Sequence, residues 1–159
     1  MHYLLPIFKW FDGSWLGLLI ADSNWLFPAI EAVHIVALAL LFGAILALNL
    51  RLLGLVFTHK PVAQLARELA AWIFCTLIII LSTGFLLFSS EAMKSYSSAP
   101  FQVKMVLLFA AIIFHYTVFN RVTKNEDAKA GAAFGKVAAV VSILLWLGVG
   151  VAGRGIGFL

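Results

Sequence analysis

Glu31 and His34 stand three residues apart, inside a run of apolar residues long enough to cross a membrane. Residues at that spacing share one face of a helix. A neutral imidazole in a helical membrane bundle is a common ligand for haem iron. A carboxylate one turn away can orient such a ring as an acceptor. The simpler reading keeps the same residues structural: Glu31 pairs with Lys104 or Arg154 and locks helices, and His34 bonds to Glu31 or a carbonyl. The Glu-x-x-His spacing also occurs in di-iron carboxylate bundles, but those need several inward carboxylates. The membrane region here offers only Glu31.

His115 is the second membrane histidine. It follows Lys104 by 11 residues, about three turns, and so falls on nearly the same helix face. Leu108 and Ala111 fill the row between them, and Ala111 leaves room for something flat. The structural alternative for His115 is an interhelical hydrogen bond near Tyr116 or Asn120. A haem b shared by His34 and His115 needs the two at nearly equal depth. Counted from the expected span starts they differ by about 12 Å at roughly 1.5 Å per residue. An earlier start of the first span or helix tilt would narrow that gap. Otherwise each histidine serves a different site.

The elements that must hold these residues are apolar runs. Of 159 residues, 64% are hydrophobic and 11% are charged, against about 25% charged in a soluble domain. Four runs, at about residues 29–50, 69–88, 104–121 and 136–154, are read as spans, each near the 17–25 residues that a spanning helix needs. They do not alternate apolar with polar as barrel strands do. Short connections make sequential helices antiparallel neighbours. The expected fold is all-α: a membrane four-helix up-down-up-down bundle formed by residues 28–159. Residues 1–27 carry Tyr3, Trp10, Trp15 and Trp25 with Asp12 and Asp22 between apolar stretches. They are expected to lie in the interface as a helix or loop.

Lys and Arg set the orientation. The first and third loops hold seven of them, Arg51, Lys60, Arg67, Arg121, Lys124, Lys129 and Lys136; the other side holds Lys9, Lys94, Lys104 and Arg154. The chain is therefore expected in the bacterial inner membrane, multi-pass, with both termini outside. The start of the sequence lacks the basic segment and long apolar core of a signal peptide, so the first span is expected to act as its own insertion signal. In this topology Glu31, His34, Lys104, Arg154, Ser82, Thr83 and Gly84 share the outer layer.

Other chemistry is excluded or unsupported. The lone Cys75 allows no intrachain disulfide, and no Cys-x-x-Cys-His attaches a c-type haem. The net charge of +4 resides at the ends of apolar runs, which is no nucleic-acid stripe. Methionines 1, 93 and 105 are too scattered for a copper path. Ala39, Gly43 and Ala47, with Gly131, Gly135, Gly153 and Gly157, give small-residue ridges at four-residue spacing. Such ridges let helices approach closely in lipid, and a homo-oligomer is expected.

The segments "EAVHIVALALLFGAILALNLRLLG", "STGFLLFSSEA", "APFQVKMVLL" and "WLGVGVAGRGIGFL" resemble an uncharacterised bacterial family of small four-span membrane proteins, over about residues 22–159. That resemblance implies family positions at Glu31, His34, Arg51, Gly84, Lys104, Trp146 and Arg154. A histidine early in a span and the Trp-Gly…Gly-Arg ending are more distantly similar to cytochrome b561-type bundles and copper-resistance membrane domains. Two-haem b561 proteins need four membrane histidines, and this chain has two. The expected function is a b-type haem membrane protein for electron transfer, with quinone as a candidate partner. In that reading His34 and His115 are iron ligands, and Lys104 and Arg154 partner propionates or a quinone head group. The rival is a non-redox small permease or a structural partner of a larger membrane complex.

Overall fold

The computed structural model describes residues 5–124 and 131–156. Tyr3, Lys129 and Gly157 lie outside the described residues. Every described element is helical: α1 (Leu5–Asp12), α2 (Trp15–Ala21), α3 (Leu26–Leu52), α4 (Val62–Ser90), α5 (Ala92–Ser97), α6 (Ala99–Phe114), a π-helical turn (His115–Phe119), α7 (Asn120–Lys124) and α8 (Gly131–Ile156).

Four helical stretches among the described residues are long and apolar enough to cross a membrane: Leu26–Leu52, Val62–Ser90, Ala99–Thr123 and Ala133–Gly155. Each extends beyond its apolar run. The reason is local. Helix hydrogen bonding continues until a cap or a breaker intervenes, whereas hydropathy ends at the first charges. The Ser23 hydroxyl accepts from Leu26 N–H at 3.2 Å and opens α3 ahead of Pro28. Ser98 accepts from Phe101 N–H at 3.3 Å, with Pro100 in the first turn of α6. Lys104 therefore sits inside a helix, not at its start. At the other end of α3 the chain turns at Gly54, whose φ of +79° is left-handed. Leu55 N–H bonds back to Leu50 O and Gly54 N–H to Arg51 O, the paired bonds that close a helix at glycine.

α3 packs on α4 and α8, and α6 packs on α8. The second span meets the third through α7. Leu41, Ile45, Leu77, Ile80, Leu108, Phe119 and Trp146 form the buried centre. Val36, Leu40, Phe74, Ile113 and Leu144 point outward and are exposed. An apolar exterior on helices of this length is what lipid requires, since helices satisfy their own backbone polar groups. The protein is a multi-pass membrane four-helix bundle.

α1 and α2 fold back over one end of the bundle, termed here the proximal end. α1 packs on α5 and α4, and α2 on α4. Asp12 Oδ1 accepts from Met93 N–H at 3.3 Å. Phe8 and Phe11 meet Phe88 edge-on, with ring centroids at 5.2 and 5.5 Å. Gly17 lies against the Ser89 carbonyl so closely that a Cβ would collide with it. Trp10, Trp15 and Trp25 remain exposed around this layer, as aromatic residues at a membrane interface do.

Candidate functional site

A cavity of about 520 Å³ opens among the spans at the proximal end. His34 enters from α3, Gly84 and Phe85 from α4, Lys104 and Met105 from α6, and Trp146 from α8. Leu38, Ile80 and Leu108 also line it, and they belong to or pack against the buried centre, so they form the floor. Phe8 from α1 and Tyr96 from α5 come from the segments folded over the end and form the roof. The walls are thus mostly apolar or aromatic, with the His34 imidazole, the Lys104 ammonium, Ser95 and Gln102 set among them.

His34 is 8% exposed. Its Nδ1 lies 2.8 Å from Thr83 Oγ1. The Thr83 hydroxyl has one proton, and the geometry commits it elsewhere: Oγ1 donates to Ile79 O at 2.6 Å. A hydroxyl that donates to Ile79 O is an acceptor toward the ring. With the ring hydrogen on Nδ1, His34 donates to Thr83 and keeps a lone pair on Nε2, in a ring that lines the cavity. Gly84 makes room for this ring, because a Cβ there would stand 3.3 Å from His34 Cε1. A Cβ at Gly153 would stand 3.5 and 3.6 Å from Lys104 Cε and Nζ, which is ordinary contact, so α8 runs close beside that side chain. Gly84 on α4 thus gives the imidazole its space, and Gly153 on α8 lies beside the Lys104 chain.

The other candidate residues fall elsewhere. Glu31 is exposed on α3 and does not line the cavity. It stands about 60° round the helix from His34 and one turn nearer its start. The partner of the imidazole is Thr83, not Glu31. Arg154 is exposed at the same end of α8 and also does not line the cavity. His115 continues the inward row of Lys104, Leu108 and Ala111. It stacks on Phe119 with centroids 5.3 Å apart and an interplanar angle of 23°. It lies seven residues beyond Leu108, about 10 Å deeper at roughly 1.5 Å per residue, and does not reach the cavity. The early start of α3 does not bring the two histidines together. Met105 faces the cavity, which its sequence context did not signal. Thr83 was legible only as a member of the layer. Its hydrogen bond with His34 depends on how α3 and α4 are rotated.

The fold and the cavity define a four-span helical membrane protein with His34 and Lys104 set in a largely apolar site near one end. The chain belongs to a family of unknown function, DUF6644, whose model matches residues 7–159. No curated protein and no solved structure matches it. The likeness to cytochrome b561-type and copper-resistance domains has no support among these comparisons.

Proposed function

We propose that the chain is a membrane b-type haem protein of the bacterial inner membrane that takes part in electron transfer, exchanging electrons with quinone. The observation that carries this reading is His34. Thr83 Oγ1, which donates to Ile79 O, is an acceptor for hydrogen on Nδ1, and a ring protonated there offers its Nε2 lone pair at a largely apolar cavity. Haem iron requires a neutral imidazole nitrogen of this kind. The volume falls within the roughly 300–1,000 Å³ of small-molecule and cofactor sites. Haem, when bound, supplies reversible one-electron transfer. The chain's own residues do the rest. Thr83 fixes the tautomer and the ring plane. Gly84 keeps the ring's path clear. Lys104 offers positive charge to a propionate or a quinone oxygen. The aromatic roof of Phe8, Phe88 and Tyr96 limits water. Arg154 stands outside this set at the same end, and the bundle's proximal end faces outside in this reading.

The test is expression with ample haem, followed by purification in mild detergent. The expected result is a Soret band that His34→Ala removes while the helical content survives. A folded but colourless protein refutes the reading.

One observation favours a second reading. Ala39 and Gly43 are exposed on α3, and a Cβ at Gly43 would meet nothing within 4 Å. Small residues on an outer face suit close helix contact with another chain. A colourless, oligomeric protein would favour a non-redox role, as a structural partner in a larger complex or a small permease.

A further inference from the structure

A second polar group lies beyond the cavity floor, toward the other end of the bundle. Asn49 on α3 and Ser142 on α8 are both 0% exposed. Asn49 Nδ2 donates to Ser142 Oγ at 3.2 Å. Asn49 Oδ1 is buried and has no hydrogen-bond partner among the described residues. Exchanging the oxygen and nitrogen ends of the amide moves the orphaned atom but does not remove it. His115 Nδ1 is a second buried atom with no partner among the described residues. It belongs to the π-helical turn His115–Phe119, which packs on α8. Turns of this kind are rare and concentrate at functional sites.

The register places these groups in one layer. A Cβ at Gly148 would touch Leu107 at 3.0 Å, which pins α8 against α6. The two helices run antiparallel. Ser142 is six residues back from Gly148, and His115 is eight residues on from Leu107. At roughly 1.5 Å per residue they lie about 9 and 12 Å beyond that contact, in the same direction. Ser142 and His115 thus differ in depth by less than one turn, and Asn49 is bonded to Ser142.

We propose that Asn49, Ser142 and His115 form a second polar site that holds an internal water molecule. Buried polar atoms of this kind are paired in native proteins, with protein or with water. A water can donate to Asn49 Oδ1 and can either donate to or accept from His115 Nδ1, so it satisfies both whichever ring tautomer is present. The Ser142 hydroxyl offers a third contact, which matches the roughly three hydrogen bonds of a typical buried water. A metal ion fits less well. No group of three or more His, Cys, Asp or Glu gathers anywhere among the described residues. The site puts a protonatable ring and a water about 10 Å beyond Leu108 of the cavity floor. Nothing in it depends on haem.

A double-mutant cycle on the full chain in one mild detergent tests the site, with Asn49→Leu, His115→Phe and both together. Losing one partner strands the other, whereas losing both strands neither. Each single variant is therefore expected to lower the midpoint of thermal unfolding, and the double variant to lose clearly less than the sum. Additive losses overturn the proposal. A second measurement does not rely on variants folding. In the wild-type protein with labelled histidine, NMR should show a cross-peak between the His115 ring and water. Its absence overturns the proposal too.

Discussion

Thr83→Val is the most informative single change, because it removes one hydroxyl and keeps the side chain's shape. In the native protein Thr83 Oγ1 lies 2.8 Å from His34 Nδ1 and donates to Ile79 O at 2.6 Å. The second bond is local to α4, and Val loses little there because the carbonyl keeps its helix partner. The first bond spans two helices and serves a ring that is 8% exposed. Stranding a buried donor costs about 1–3 kcal/mol, roughly 5- to 150-fold in an equilibrium constant. The change should therefore lower thermal stability measurably. It should also release the tautomer, since nothing then favours hydrogen on Nδ1. Nitrogen NMR of labelled histidine reads this directly. The wild type is expected to show a protonated Nδ1 and a bare Nε2 at His34, Thr83→Ser to keep that pattern, and Thr83→Val to show a mixture or the reverse. If a ligand is held by Nε2, its affinity should fall about 10- to 100-fold, as it does when partners of metal-binding histidines are lost. A wild-type His34 with hydrogen on Nε2 would refute the reasoning, because Thr83 would then be the donor and the ring would present no lone pair to the cavity.

Gly84→Leu should drive its side chain into the space of the imidazole, since even a Cβ would stand 3.3 Å from Cε1; overpacking of this kind costs about 1–3 kcal/mol, and haem or quinone binding should vanish in a variant whose circular dichroism is still helical. Lys104→Met replaces a cation in an apolar wall with an apolar chain of similar length, so thermal stability should rise while ligand binding falls, and a loss of stability would count against the reading. Gly17→Val collides with the Ser89 carbonyl and should undock α2, seen as faster proteolysis between α2 and α3 with the spans intact; unchanged proteolysis would mean that α2 is not held there. Gly43→Leu has open space inside the protomer, so it should leave thermal stability unchanged and shift an oligomer toward a 17.4 kDa chain by detergent-corrected mass; no shift would clear that face of α3.

The residues at the proximal end divide cleanly once depth and rotation are both known. Depth was legible. His34, Thr83, Gly84 and Lys104 come together as the topology required, because in antiparallel helices position along the chain converts directly into position across the membrane. Rotation was not legible. α3 is apolar almost all round, so its pattern does not say which face is buried. That is why Glu31 and His34, three residues apart, part company: one faces out and the other lines the cavity. The same ambiguity hid Met105, and it hid the bond between Asn49 and Ser142.

The order of amino acids alone specifies the class: helical, membrane-spanning, four helices joined by short connections. Hydrocarbon leaves the backbone of a spanning segment little choice but a helix, so long apolar runs specify spans without reference to any neighbour. Only the tertiary structure decided the site. Whether α4 presents Thr83 to His34, whether Gly84 leaves space for the imidazole, and whether Phe8 closes the cavity all depend on helix rotation and on where α1 docks. Those are set by side-chain packing between segments distant in sequence, and no single segment carries that information.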